Sequence, residues 1–236
     1  LDNRNFSAEF RDWYFLPMAG CIWSCAVEQM LAFPIATMIR FCHNHGLLQV
    51  NDRPQWYTVA GGSREYVRRM LAGLRDARLQ PVLQVRRAPH GVEVVTAAGT
   101  EQFDEVVFAC HSDQALALLA DPTPNERAVL GAIRYQPNRA VLHTDASVLP
   151  RQRKAWSAWN YVSSAAADGA PRVCVHYLLN HLQPLPAAWG DRPVVVSRNP
   201  VIAPRADAVL KTIDYAHPVF DAGAVAAQRA LPTLQR

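Results

Sequence analysis

The sequence contains no apolar run that approaches the ~20 residues needed to cross a bilayer, and no signal-peptide pattern is visible. We therefore expect no transmembrane segment. Hydrophobic residues make up 50% of the chain and charged residues 19%, which is typical of a folded domain and not of a disordered one. A length of 236 residues is enough for one or two domains with a sizeable core.

Lysine is scarce, since only Lys154 and Lys211 occur and the rest of the 24 basic residues are Arg. The net charge of +4 is mild, and the Arg residues are scattered along the chain. No basic stripe with interleaved aromatic residues appears, which argues against a nucleic-acid partner. Scattered Arg is more typical of a solvated surface than of a phosphate site.

Cysteine is too sparse for a disulfide framework, because the five residues are odd in number and the chain is not short. We therefore expect a reducing, cytoplasmic location. Cys21, Cys25 and Cys42, with His43 and His45 nearby, allow a zinc site as one interpretation. Structural zinc sites usually show tighter Cys-x-x-Cys turns, and Cys in an apolar stretch commonly packs as a small hydrophobe. The sequence favours core packing and no metal.

The sequence also lacks the loop motifs of nucleotide hydrolases and of serine hydrolases. There is no Walker loop for nucleotide hydrolysis and no Gly-x-Ser-x-Gly elbow to activate a serine. His143, Asp145 and Ser147 supply the residue types of a hydrolase triad, but they alternate along the end of one predicted strand. We therefore do not expect a hydrolase.

Helical patterns dominate the first 50 residues, and strand patterns dominate from Ala140 onward. Ser7 and Ser24 can cap two early helices, and Pro34 suits the first turn of a third. Thr123-Pro-Asn-Glu126 has the form of a capping box that starts a later helix. Five strands are predicted near 140–144, 157–162, 173–178, 194–197 and 209–215, with turn residues that suit antiparallel connections. The fold class is therefore mixed α/β (α+β), with two lobes intertwined along the chain.

The middle of the chain is the most informative part. Gly61-Gly62 permits a backbone bend, and Ser63 can cap an amphipathic helix that carries Tyr66 and Met70. Three strands are then predicted around Val82–Val85, Val92–Val95 and Val106–Phe108. The segment ends in Ala109, Cys110 and His111, where a new helix begins at Ser112.

A cluster of aromatic residues lies among the later strands. Trp159 and Tyr161 differ by two positions, so they share one face of a strand. Tyr177 can join that face from a neighbouring strand if the register allows it and His176 points away. Two interpretations stay open, a packed inner sheet face and an apolar ligand pocket.

The order of these segments resembles the middle of flavin-containing amine oxidoreductases, in the bacterial subgroup described as predicted NAD/FAD-binding oxidoreductases. The blocks that carry the resemblance are the Gly-Gly loop, helix and strands of 56–111, with 10–18, 22–25, 44–48, 155–161 and 217–221. The family opens with a Gly-x-Gly-x-x-Gly turn and closes with a Gly-rich segment over the flavin. Neither is present here, which indicates an internal fragment of a longer enzyme.

The resemblance implies FAD as the cofactor and hydride transfer from an apolar or lipid-like substrate. It places Gly61, Gly62, Val82, Ala109 and His111 near FAD, with Val82 offering its main chain to the adenine edge. His111 could instead cap the helix that follows.

The resemblance further implies a substrate pocket that includes Trp159, Tyr161 and Tyr177. Residues 57–112 would belong to the FAD-binding lobe, and 1–56 and 113–236 to a substrate lobe with an antiparallel sheet and helices. A peripheral contact with a membrane surface is compatible with such a substrate. The alternative is an inactive ligand-binding or structural segment that binds no FAD by itself.

Overall fold

A computed structural model describes residues 6–23, 30–31, 33–165 and 171–235. The chain divides into two compact units. The first is drawn from Leu1–Arg69 and Pro137–Ala216, and the second from Met70–Gln136 and His217–Arg236. Each unit thus combines two separate stretches, which confirms the predicted intertwining. The assignment of 1–56, 57–112 and 113–236 to substrate and FAD-binding lobes stays a prediction.

The N-terminal helices of the first unit begin with a π-helical segment at Phe10–Phe15, followed by α1 (Leu16–Trp23) and α2 (Ile35–Asn44). The Ser7 hydroxyl accepts a hydrogen bond from the Phe10 N–H at 3.1 Å, as the sequence predicts. Met38 and Cys42 form the buried face of α2. The helix predicted from Ser24 falls largely on 24–29, outside the described residues.

A short amphipathic helix, α3 (Arg64–Leu71), follows the Gly-Gly loop. Gly61 and Gly62 have φ values of 82° and 84°, a region that residues with a Cβ avoid. The helix ends at Leu71, because the chain turns at Gly73. None of its residues is buried, although the apolar face is present.

The second unit contains a three-stranded antiparallel meander in the order β1 (Val82–Ala88), β2 (Gly91–Thr96) and β3 (Gly99–Phe103). The strand predicted at Val106–Phe108 is wrong, since those residues lie in neither described sheet. The physical reason is the tight turn at 97–98, which brings Gly99–Phe103 into register with β2 first. Strand propensity alone could not anticipate that pairing.

Helices α4 (Ser112–Leu118) and α5 (Pro124–Gly131) follow the meander. The capping box of α5 forms as predicted, because the Thr123 hydroxyl accepts from the Glu126 N–H and the Glu126 carboxylate accepts from the Thr123 N–H. The C-terminal helix α6 (Ala222–Ala230) is capped by Asp221, whose carboxylate accepts from the Ala224 N–H at 2.8 Å.

The larger sheet has five strands in the order β5-β6-β7-β4-β8. Their bounds are β4 Tyr135–His143, β5 Trp159–Ala165, β6 Pro171–Leu178, β7 Val195–Arg198 and β8 Val209–Pro218. All five lie close to the positions that the sequence predicts, and the pairings of β5 with β6, β6 with β7 and β7 with β4 are antiparallel. The mixed class with helices and antiparallel strands is therefore confirmed.

Candidate functional site

The candidate site is one face of the five-stranded sheet, which we call the aromatic face. Trp159 of β5 lies directly opposite Tyr177 of β6, and Tyr161 lies opposite Val175. Because directly paired residues of antiparallel strands share a face, the register joins the three aromatic residues that the sequence singled out. The Trp159 and Tyr177 rings meet edge to face, with centroids 5.6 Å apart and planes 79° apart.

The aromatic face is only partly covered. Trp159 remains 46% exposed, and Tyr161 and Tyr177 are half-buried, whereas Val175 between them is buried. The Tyr177 hydroxyl donates to the Cys21 carbonyl of α1 at 3.4 Å, which fixes one side of the face. Exposed aromatic surface next to a buried aliphatic floor is the composition expected of an apolar ligand site.

We call the opposite face of the same sheet the polar face, and its side chains are buried from solvent. Asn160, Cys174, His176, Ser197 and His143 are all buried on it. The Ser197 hydroxyl oxygen lies 2.6 Å from His143 Nε2 and 2.6 Å from His176 Nδ1. From the sequence, His176 pointing away from Tyr177 was only a condition for the aromatic cluster, and no sequence pattern indicated this buried polar cluster.

The hydrogen bonds of the polar face run in one direction. The Asp145 N–H donates to His143 Nδ1 at 3.1 Å, so neutral His143 carries its proton on Nε2 and donates it to Ser197. Ser197 then donates to His176 Nδ1, which leaves the His176 proton on Nε2, 3.5 Å from the Cys174 sulfur. Each donor has one acceptor.

Burial controls the charges of this cluster. It lowers the pKa of His176 to about 4, with a further contribution from His143, and it lowers the pKa of His143. Burial also raises the pKa of the Cys174 thiol to about 12. The cluster is therefore neutral near pH 7, which suits a structural network and not an acid–base site.

The hydrolase interpretation fails on geometry as well. Asp145 contacts His143 through its main-chain N–H, while its carboxylate accepts from the Ser147 N–H at 3.0 Å and the Arg205 N–H at 2.9 Å. A triad needs the carboxylate on the imidazole and the serine hydroxyl on its other nitrogen. Asp145 instead closes a turn.

Trp156, three residues before Trp159, does not lie on the aromatic face. It packs against the buried cluster of Leu149, Leu178 and Val195, and its indole N–H donates to the Pro150 carbonyl at 2.8 Å. The Arg153 guanidinium lies 5.0 Å above its ring. Both residues border an open groove of about 580 Å³, whose lining also includes Leu178, Asn180, His181, Gln183, Pro184, Leu185, Gly190, Asp191 and Pro193.

The residues that the resemblance places near FAD lie in both units. Gly61 and Gly62 belong to the first unit, and Val82, Ala109 and His111 to the second. A Cβ on Gly62 would meet no atom within 4 Å, so the space around it does not require glycine. The positive φ angle does require it, and open space lies beside the residue. Val82 opens β1 opposite Thr96, and the register shifts immediately after it.

His111 is the N-cap residue of α4, as one interpretation of the sequence had it. Its main-chain N–H donates to the Gln114 side chain at 3.2 Å. The ring, however, stacks on Tyr135 with centroids 4.4 Å apart, and the buried Nδ1 has no hydrogen-bond partner among the described residues. A buried ring nitrogen without a partner is costly unless another group meets it.

Other features bear on the class of protein. In the part of the chain that the structure describes, no helix is long and apolar enough to cross a membrane. Those residues likewise contain no cluster of three His, Cys, Asp or Glu side chains arranged to hold a metal ion. Cys25 lies outside them. The fold and the aromatic face thus define a mixed α/β protein with a candidate site for an apolar ligand.

The chain belongs to the family of flavin containing amine oxidoreductases, whose sequence profile matches residues 6–181. The resemblance seen in the sequence is thereby confirmed, and a flavin is the cofactor of the family. No curated protein is similar enough to match the chain.

Two solved structures are similar to it. One is a fatty acid isomerase from P. acnes that produces CLA, with 13% identity, a TM-score of 0.43, and coverage of 73% of this chain and 44% of that one. The other, from Exiguobacterium sp. 255-15, is provisionally assigned as a protoporphyrinogen oxidase, with 14% identity, a TM-score of 0.48, and coverage of 84% and 51%. The chain spans about half the length of these two proteins.

Proposed function

We propose that this chain forms part of an FAD-dependent oxidoreductase, in which the aromatic face holds an apolar or lipid-like substrate for hydride transfer to the flavin. The observation that carries the proposal is the contrast within one sheet. Trp159 and Tyr177 pair edge to face on a partly open surface, while the polar face behind them is sealed. An open aromatic surface on a rigid sheet is suited to positioning a substrate.

The residues proposed to contact FAD act mainly through their backbone. Gly61 and Gly62 provide an αL turn with open space beside Gly62, and Val82 offers main-chain groups at the start of β1. The unpartnered Nδ1 of His111 is a group that a polar edge of a cofactor could satisfy. When bound, FAD supplies a ring system that accepts a hydride.

Flavin chemistry needs no acid–base residue on the aromatic face, because the cofactor itself accepts the hydride. The side chains of this face orient an apolar molecule and exclude water, and no titratable group is required for that task. A cytoplasmic location belongs to the proposal and is supported by the free thiols of Cys21, Cys42, Cys110 and Cys174. Occasional contact with a membrane surface would suit a lipid-like substrate.

The experiment replaces Trp159 by Ala in the full-length parent enzyme. We expect turnover to fall at least tenfold while the FAD content stays within error, because the ring orients substrate and does not hold the cofactor. The matched control is Trp13→Ala, which removes an indole that is 83% exposed on the π-helical segment. Normal turnover in both variants would contradict the proposal.

A second function is the ligand-binding or structural segment that holds no FAD by itself. The lack of a Gly-x-Gly-x-x-Gly turn favours it for the chain on its own, because that turn and the helix after it receive the pyrophosphate. Titration of the purified chain with FAD, followed by flavin fluorescence, separates the two cases. We expect weak FAD binding to the chain on its own, and recovery of yellow protein with one FAD per chain would contradict that expectation.

A further inference from the structure

An arginine stands at one end of the aromatic face. Arg198 of β7 pairs with Val175 of β6 on one side and with Ala140 of β4 on the other. Val175 in turn pairs with Tyr161. Direct pairing across antiparallel strands keeps these four residues in one row on one face, so the guanidinium shares its face with the three aromatic residues.

The charge of Arg198 lacks a counter-ion. The side chain is half-buried, and among the described residues no carboxylate lies within ion-pair distance of it. Its Nη2 donates to the Asn138 side-chain oxygen at 3.1 Å, which uses one of the five N–H donors of a guanidinium. A partly desolvated cation with spare donors favours an anionic ligand.

Asn138 adds a second spare donor at the same place. It is only 2% exposed, and its side-chain oxygen accepts from Arg198 and from the Asn199 side-chain nitrogen at 2.9 Å. The oxygen is therefore fixed as the acceptor, and the buried Nδ2 has no partner in the described part of the chain. An unmet buried donor beside an uncompensated guanidinium indicates a missing acceptor.

The spacing defines the shape of the ligand. Neighbouring strands are about 5 Å apart, so the Tyr161 and Arg198 backbones are separated by roughly 10 Å across β6. Trp159 and Tyr177 lie one two-residue step, about 7 Å, further along the strands. Buried Val175 forms the floor between these positions. The surface joins an aromatic end, an apolar middle and a cationic end.

We propose that the substrate is an amphipathic carboxylic acid, with its apolar body on Trp159, Tyr161 and Tyr177 and its carboxylate on Arg198. A carboxylate offers two oxygens in the planar geometry that a guanidinium matches with paired hydrogen bonds. This inference rests on the proposed function, because it names the substrate class of the same aromatic face.

The test measures binding of dodecanoate, dodecanol and dodecyl phosphate to the full-length parent enzyme by calorimetry. We expect dodecanoate to bind at least tenfold more tightly than dodecanol, and Arg198→Met to abolish that preference while dodecanol affinity stays unchanged. Arg198→Lys should restore part of the preference. The matched control is Arg153→Met, which removes an Arg above Trp156, away from the aromatic face, and should leave the preference intact.

The outcomes separate this inference from the function on which it rests. Equal affinity for dodecanoate and dodecanol, unchanged in Arg198→Met but weakened for both in Trp159→Ala, would overturn the carboxylate site and leave the apolar site standing. Tighter binding of dodecyl phosphate than of dodecanoate would overturn the carboxylic acid class. Failure of all three ligands to bind would overturn both proposals.

Discussion

The two faces of the five-stranded sheet differ in exposure and in hydrogen bonding, although the same strands form both. On the aromatic face, Trp159 and Tyr177 are left partly exposed, and the Tyr177 hydroxyl donates to the Cys21 carbonyl of α1. On the polar face, two histidines and a serine are fully buried and fully hydrogen-bonded. Rigidity and recognition are thus separated, because the buried network fixes the strands while the other surface stays available to a ligand.

The polar face follows a strict physical rule. A buried polar group costs little when its hydrogen bond is made and much when its partner is lost. Asn160 follows the same rule, since its side-chain nitrogen donates to the Ser157 carbonyl at 2.7 Å and to the His176 carbonyl at 3.2 Å. The Trp159 ring of the aromatic face is partly exposed and packs edge to face on Tyr177, so substitutions at Trp159 and on the polar face should differ in effect.

The largest effect is expected from Ser197→Ala. The change leaves the His143 donor and the His176 acceptor buried without partners, which should lower the free energy of unfolding by about 2–6 kcal/mol. Urea unfolding followed by circular dichroism measures the loss. Ser163→Ala, at an exposed position of β5, is the matched control and should change stability by less than about 0.5 kcal/mol. Equal stability of the two variants would show that the network is not stabilising.

A smaller effect is expected from pH. The pKa of His176 is 6.5 in an unfolded chain and about 4 in the folded protein, so below pH 6.5 the unfolded chain takes up a proton that the folded one refuses. The stabilisation is therefore complete above pH 6.5 and is lost as pH falls toward 4. The difference amounts to about 3 kcal/mol.

His176→Gln isolates this contribution, because carboxylates such as Asp145 titrate alike in both proteins. Burial raises the pKa of Asp145, but main-chain hydrogen bonds from Arg205 and Ser147 outweigh it and hold that pKa at about 2. The wild-type unfolding free energy should thus fall more steeply than that of the variant between pH 6.5 and 4. Parallel curves over this range would show that His176 is protonated in the folded state or contributes nothing.

The smallest effect on stability is expected from Trp159→Ala. The ring is half exposed, so its removal costs mainly the edge-to-face contact with Tyr177, about 1 kcal/mol, or a melting temperature lower by roughly 2–4 °C. Leu178→Ala, at a fully buried position beside Tyr177 in the chain, is the comparison and should cost about 2–5 kcal/mol. A loss for Trp159→Ala as large as that for Leu178→Ala would mean that the aromatic face is a packed core.

Local signals in the sequence account for much of the fold. Thr123 with Glu126, Asp221 and Ser7 each form the cap that their residue type predicts, since capping depends only on residues three positions away. Strands β4 to β8 were predicted from alternation and turn residues. The strand predicted at Val106–Phe108 was wrong, because strand formation depends on a partner and β2 had already paired with β3.

The site was less predictable. Trp159 and Tyr161 could be placed on one face by their spacing, but Tyr177 needed the register of β5 and β6. The polar face was missed because His143 and Ser197 are 54 positions apart and no local motif links them. The only signal in the sequence was the alternation of side chains along a strand, which places His176 and Tyr177 on opposite faces of the sheet. Arg198 was missed for the same reason, since its row joins four strands, β5, β6, β7 and β4, that no local motif links.

The one-way chain of hydrogen bonds on the polar face also gives the protein an internal reporter. Its two imidazole N–H protons are held in defined tautomers away from water, so they should exchange slowly and give separate resonances in a nuclear magnetic resonance spectrum. A ligand on the aromatic face leaves their hydrogen bonds intact, whereas separation of β6 from β7 breaks the bond from Ser197 to His176 that links the two imidazoles. The lifetimes of these protons therefore measure how often the sheet opens, independently of what the other face binds.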